Sequence, residues 1–322
     1  MLDTPKNHSI SVVIPVYNGR DTLPTVIDNL ARFTSPSVSP AGNRFVIKEV
    51  ILVFDCGTDG SEVTLQKLKN QFEFVRVIWL TRNFGQHAAT LAGMAATTTD
   101  WIITIDEDGQ QDCSDISRLL DVAIADHVQL VYAKPLNPAP HGKLRNFASK
   151  PTKGGISRFL TGGQVANFNS FRLIQGEVGR ILSAYVGHGV NLDVALHWIV
   201  KQSTVCEVNL VLDEKRKSTY SNRRLLSHFW RLVISSGTRL LRIASVIGAL
   251  SFIVGLIAAL VVVTQKYRHG YSVTGWASVF VAILLIGGLI LLVLGIIAEY
   301  IGLLVRTNIG QPLYVVSSKD ND

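Results

Sequence analysis

The sequence predicts an α/β domain on a mostly parallel sheet, followed by an interfacial helix and a two-helix membrane hairpin. Three observations predict it. Between Ser11 and Leu212, short β-branched apolar runs alternate with helical patterns, the sign of repeated strand–helix units with helices on both sheet faces. Near the C-terminus, Ile243–Thr264 and Ala277–Ala298 each run 22 residues without an Asp, Glu, Lys or Arg. About 20 such residues cross a bilayer core as a helix. A buried core helix of that length would normally carry a polar stripe. Between these runs and the α/β region lies a dense basic stretch.

The elements follow in order. Ser11–Val16 (SVVIPV) reads as the first strand, and Asp21–Phe33 has helical spacing. Ser35–Asn43 is a loop rich in Pro and Ser. Val46–Phe54 and Val75–Leu80 read as strands, with helices at Gly60–Phe72 and Gly85–Ala96. Trp101–Ile105 is a strand, Asp115–Asp126 a helix and Leu130–Ala133 a fifth strand. Pro138–Gly163, with many Gly, Pro and Lys residues, reads as a loop that could cover the site. Asn167–Tyr185 and Asn191–Lys201 return to strand and helix patterns, and Ser203–Leu212 is the last strand. Asn222–Ser236 is amphipathic and basic, with Phe229 and Trp230 beside Arg231. It suits a helix in the headgroup plane, or one packed on the domain surface.

Charge sets the orientation. Glu214–Arg242 carries eight basic residues against one acidic, which equals the whole net charge of +7. Basic residues beside a span stay cytoplasmic and attract anionic headgroups. Placed against a membrane helix, this patch points to lipid rather than to nucleic acid. Lys266 and Arg268 in the link Gln265–Trp276 weaken the orientation signal without reversing it. Residues 1–9 are polar and Ile10–Val16 is too short for a signal core, so no secretory leader is expected. Cys56, Cys113 and Cys206 have neither metal nor disulfide spacing and fit a reducing compartment. The α/β domain is expected to face the cytoplasm, with both termini on that side.

Polar clusters fall at the strand ends: Tyr17-Asn18, Asp55 to Asp59, Arg82 to Gly85, and Asp106-Glu107-Asp108. Ligands of such sheets bind beyond the carboxyl ends of the strands. Asp106 and Asp108 point the same way on an extended chain. Two hard oxygen donors at that spacing suit Mg²⁺ or Mn²⁺ with substrate phosphates. Such a metal would neutralise a departing diphosphate. In the stretch Gly187–Asp193 (GHGVNLD), His188 is a candidate for sugar or phosphate contact, or a structural histidine. Asp193 fits the first turn of a helix, where negative charge is favoured.

This order of motifs resembles the family 2 glycosyltransferases of GT-A fold, and within them the polyprenyl-phosphate glycosyltransferases with two C-terminal spans. The resemblance rests on Ser11–Asn18 (SVVIPVYN), Asp55 with Thr58-Asp59-Gly60-Ser61, and Arg82–Gly85 (RNFG) with the Ala and Gly residues after it. It continues through Asp106–Gln110 (DEDGQ), Ser170–Leu173 (SFRL) and Arg216 to Ser221 (RKSTYS). It closes with Gly295–Gly302 and Gln311–Val316 (QPLYVV). The sequence departs from the family pattern at Gly19, often Glu, at Phe54, often acidic, at Cys56, often Gly, and at Gln111 to Ser114.

The resemblance implies roles. Pro15, Tyr17, Asn18, Asp55, Arg82 and Asp106 would line the nucleotide-sugar pocket. Asp106 and Asp108 would hold the metal, Mg²⁺ or Mn²⁺. Asp112 is an optional base. Arg172, Arg216 and Ser218 would grip the acceptor phosphate, which the forked arginine head suits. The expected activity is inverting transfer of a sugar from a UDP- or GDP-linked donor to a polyprenyl phosphate at the cytoplasmic membrane. The expected divisions are a transferase domain at 1–213, a basic interface segment at 214–242, a hairpin at 243–302 and a cytoplasmic tail at 303–322. Self-association is left open. The competing readings are a membrane-anchored transferase with another lipid or polysaccharide acceptor, and a non-catalytic nucleotide-sugar-binding scaffold.

Overall fold

The computed structural model describes residues 7–136, 169–187, 190–209 and 275–318, with isolated positions between 248 and 268. The loop expected at Pro138–Gly163, His188, the basic stretch with Arg216 and Ser218, and most of the first apolar run lie outside the described residues.

Apolar alternation builds the sheet. In β1 (Asn7–Val16), Val12, Ile14 and Val16 face one core and Val13 the other, all fully buried. Both faces are covered, so the strand is a continuous apolar run rather than a half-polar one. β1 pairs in parallel with β3 (Arg44–Phe54) on one side and β5 (Trp101–Thr104) on the other. β4 (Val75–Trp79) joins β3 in parallel, and the short β2 (Ser37–Val38) pairs antiparallel with the start of β3. Register places Val16 opposite Phe54, and Phe54 opposite Trp79. The polar residues after these strands therefore emerge side by side.

The helices follow the expected order. α1 (Leu23–Ala31) has a proline in its first turn, where the missing N–H costs nothing. α2 (Ser61–Gln71) starts after Gly60, whose φ of 82° suits glycine. α3 (Gln86–Ala95) lies close on the sheet: a Cβ at Gly93 would sit 2.3 Å from Val13 Cγ1. α4 (Asp115–Ala125) completes the run.

The second half departs from a mostly parallel sheet. The order is β2-β3-β1-β5-β7-β6-β8, where β6 is Leu130–Pro135, β7 Arg172–Gln175 and β8 Thr204–Val208. β7 runs antiparallel to both β5 and β6, inserted between them, while β6 and β8 are parallel. The sheet is mixed. α5 (Gly176–Tyr185) and α6 (Leu192–Ile199) cover it beside α3.

The chain divides into two compact units, Met1–Leu225 with Pro312–Asp322, and Leu226–Gln311. In the second, a helix runs 33 residues, Trp276–Asn308. Its described apolar side chains Val279, Ile283, Ile286, Ile290, Leu291 and Leu294 are more than half exposed. Among the described residues no helix is long and apolar enough to cross a membrane. The helix continues to Asn308, and the residues from Pro312 onward belong to the α/β unit.

Candidate active site

Four turns converge at the carboxyl ends of β1, β3, β4 and β5. Glu107 ties the first to the last. Its carboxylate accepts the N–H groups of Tyr17 at 2.8 Å and Asn18 at 2.9 Å. A Cβ at Gly19 would lie 2.8 Å from the same carboxylate and 2.8 Å from Leu23 Cδ1. Burial lifts the Glu107 carboxyl above its ordinary range, and the two N–H groups oppose that rise.

Asp55 performs the same task for the second and third turns. It is buried and accepts the N–H groups of Phe84 at 2.7 Å and Gly85 at 2.8 Å. Burial again raises its carboxyl pKa, against those bonds. Arg82 lies over the Phe84 ring, 4.6 Å from its centre, in a cation–π contact. Cys56 has φ of 51°, the left-handed region, which accounts for the glycine common there in the family. Its thiol donates to Leu80 O. A Cβ on Gly57 would fall 1.5 Å from Tyr17 O, so the first and second turns touch backbone to backbone.

Asp106 lies deeper, on the side of the strand opposite Glu107, as alternation requires. Its carboxylate accepts from Gln86 Nε2 at 2.7 Å, from Gln111 Nε2 at 3.2 Å and from the Ser170 hydroxyl. Its own N–H donates to Gln111 Oε1 at 2.8 Å. Burial raises the Asp106 carboxyl pKa, the Ser170 hydroxyl opposes it, and the nearby charge of Asp108 raises it further. Asp108 accepts only the Gln110 N–H among the described bonds. Among the described residues no group of three or more His, Cys, Asp or Glu side chains forms a metal cage. The Asp106–Asp108 pair nevertheless suits a divalent cation: both donors are hard oxygens, and a cation would relieve the like-charge repulsion between them.

A pocket opens beside Asp106, lined among others by Pro15, His87, Asn169, Ser170, Arg172 and Asp193. Arg172 is 4% exposed. Its guanidinium pairs with Asp193, and its Nε donates to Thr104 Oγ1 at 3.1 Å. Tyr132 OH also donates to Asp193, at 3.1 Å, and the Tyr132 ring stacks on His197. Asp193 does occupy the first turn of α6, capped by Asn191, but its carboxylate serves the buried arginine.

Of the residues singled out from sequence, Pro15, Asp106, Arg172 and Asp193 line this pocket. Tyr17, Asn18 and Asp55 form the adjoining turns. Asp112 is turned aside, its carboxylate accepting the Ser114 N–H before α4. Gln86, Glu107 and Asp193 carry more of the site than their sequence context indicated. For Glu107 the signal was available, since alternation sends it away from Asp106 toward β1. Burial pushes the Cys113 thiol up to about 12, which rules it out as a nucleophile near neutral pH.

Comparison with known proteins agrees with this geometry. The family model "Glycosyl transferase family 2" matches residues 11–178. The chain is 28% identical to an undecaprenyl-phosphate 4-deoxy-4-formamido-L-arabinose transferase of Klebsiella pneumoniae subsp. pneumoniae, covering 98% of this chain and 95% of that one. It is 27% identical, with the same coverage, to the protein of that name from Klebsiella pneumoniae strain 342. The fold is similar to mannosyl-3-phosphoglycerate synthase from Rubrobacter xylanophilus, with a TM-score of 0.51 and 16% identity over 73% of this chain and 74% of that one. With the strand-end acidic motif in place and the family model covering the core of the α/β domain, the chain belongs to glycosyl transferase family 2 and is a glycosyltransferase.

Proposed function

We propose that this glycosyltransferase moves a sugar from a nucleotide diphosphate sugar to a polyprenyl phosphate of the undecaprenyl type, at the cytoplasmic membrane. One observation carries the reading: similarity to undecaprenyl-phosphate sugar transferases runs nearly end to end, through the apolar runs and the closing segment as well as the α/β domain. The exposed apolar side chains along Trp276–Asn308 support a lipid setting, since an apolar surface of that length is costly in water. We read Ala277–Ala298 as one membrane span and Ile243–Thr264 as the other.

The donor diphosphate would lie at the strand ends, over the turns that Asp55 and Glu107 fix. Asp106 and Asp108 would hold Mg²⁺ or Mn²⁺, which supplies positive charge for the departing nucleoside diphosphate. An oxygen of the polyprenyl phosphate attacks the anomeric carbon, the bond from that carbon to the diphosphate oxygen breaks, and the configuration inverts. The second pKa of a phosphate monoester is about 6, so the nucleophile is largely dianionic at neutral pH and needs no protein base. Asp112, engaged with Ser114, is then not required. Arg172 lines the pocket with Asp106 and is the described candidate for the acceptor phosphate. Arg216 and Ser218 are its proposed partners.

The test is transfer by purified protein, with a panel of UDP- and GDP-linked sugars, undecaprenyl phosphate and Mg²⁺ or Mn²⁺, and the lipid-linked product detected by mass. Asp108→Asn should cut turnover about 100-fold or more, in line with loss of a charged group that stabilises the leaving diphosphate, while the fold persists. Donor binding with no lipid product from any sugar would favour the scaffold reading. Near-normal turnover of Asp108→Asn under chelator would remove the metal from the scheme.

A further inference from the structure

The segment Gln311–Val316 was singled out in the sequence, yet the transfer scheme gives it no task. In the structure it belongs to the α/β unit from Pro312 onward. Val316 bridges Leu80 antiparallel, Ser317 N–H donates to Trp79 O at 2.7 Å, and Thr81 N–H donates to Val315 O at 3.0 Å. Leu313 and Tyr314 pack on the same core cluster as Phe84, Ile78 and Leu80, and burial raises the Tyr314 phenol pKa. The tail therefore forms a single antiparallel bridge beside the end of β4, at the point where β4 turns into Arg82–Gly85.

We propose that Leu313–Ser317 positions the Arg82–Gly85 turn for the nucleotide sugar. The turn is held at both ends. At its far end Asp55 takes the N–H groups of Phe84 and Gly85. At its near end Leu80 N–H donates to Phe54 O on one side, and Thr81 N–H to Val315 O on the other. Without the tail, Thr81 loses its strand partner, and the near end keeps the Leu80–Phe54 bond and the bond from the Cys56 thiol to Leu80 O. An edge strand with free N–H and C=O groups frays readily and lets the following turn move. Arg82 then loses its fixed place over Phe84. The tail thus acts through the turn, without touching the donor. The inference rests on reading Arg82–Gly85 as part of the donor pocket.

The experiment uses the full-length protein in detergent or nanodiscs. Ser317→Pro removes the N–H that reaches Trp79 O, and Ser317→Thr keeps both that N–H and the hydroxyl. Amide exchange is read by mass on peptides covering Leu80–Gly85, and Michaelis constants are measured for donor and for polyprenyl phosphate. For Ser317→Pro, exchange in that peptide should rise at least tenfold and the donor constant at least fivefold. The lipid constant and turnover at saturation should stay within twofold, and Ser317→Thr should restore wild-type values. Unchanged exchange in Ser317→Pro overturns the proposal. So does faster exchange with an unchanged donor constant. If the wild-type protein transfers no sugar, the proposed function falls, while the exchange comparison still decides whether the tail holds the turn.

Discussion

Asp55 shows how a buried acidic side chain can be structural and costly together. It organises the Phe84–Gly85 backbone, yet burial outweighs the two N–H bonds and holds its carboxyl above the ordinary range. A carboxyl raised on folding contributes most to stability below its unfolded value, about 3.9, and that contribution is lost as pH rises through the folded value. Asp55→Asn removes this titration but turns one amide N–H toward a backbone donor. The variant should be less stable than wild type near pH 4, and its deficit in melting temperature should shrink toward pH 7. A deficit that grows with pH would mean that the charge-assisted bonds exceed the burial cost. At this scale the sequence was partly legible. The acidic residues at strand ends were visible, as was the placement of Asp193 in a helical first turn. Their partners were not, because Arg172–Asp193 and Asp106–Ser170 join residues from separate elements that only the fold brings together.

The elements of the first half were readable because both signals coincide there: fully buried β-branched strands, and turn residues at each end. Strands β3, β4 and β5 and helices α1 to α4 agree with expectation to within about two residues, the usual scatter of element ends, while β1 starts four residues earlier than expected, at Asn7. The second half was harder. β7 has only four residues, RLIQ, and nothing in them fixes direction or neighbour. Its place between β5 and β6 comes from cross-strand pairs such as Ile103 with Leu173 and Val131 with Leu173. Glycine marks the tightest junction of elements. At Gly57 an added methyl would meet the Tyr17 carbonyl, a backbone atom that cannot rotate away. Gly57→Ala must push the end of β3 from the end of β1, at a cost of ~3 kcal/mol or more. It should lower the melting temperature and weaken donor binding together, in thermal denaturation and nucleotide titration. Gly42, with nothing within 4 Å of an added Cβ, offers a comparison elsewhere on the chain. Its φ of 89° makes alanine there costly to stability through backbone strain, so its effect should spare donor binding.

For the whole molecule, the tail sets a parity rule on topology. Residues from the first strand through β8 and the segment after Pro312 form one folded unit, joined by hydrogen bonds between Val315–Ser317 and Trp79–Thr81. A unit closed in this way occupies one side of any membrane. The chain between Leu225 and Pro312 must then cross an even number of times or not at all. Two charge-free runs of 22 residues lie in that interval, with a basic stretch on the α/β side of the first. An even count and two long apolar runs favour the hairpin over a single anchor, and the basic flank favours a cytoplasmic α/β unit. The prediction is made with single cysteines on a background lacking Cys56, Cys113 and Cys206. Arg268→Cys, in the link between the runs, should react with an impermeant maleimide in intact cells. Asp320→Cys should react only after the membrane is opened. The reverse pattern would invert the orientation and place the donor turns outside the cell, away from cytoplasmic nucleotide sugars. Labelling of Arg268→Cys and Asp320→Cys alike only after permeabilisation would leave the link on the cytoplasmic side. The apolar runs would then lie in the membrane without crossing it.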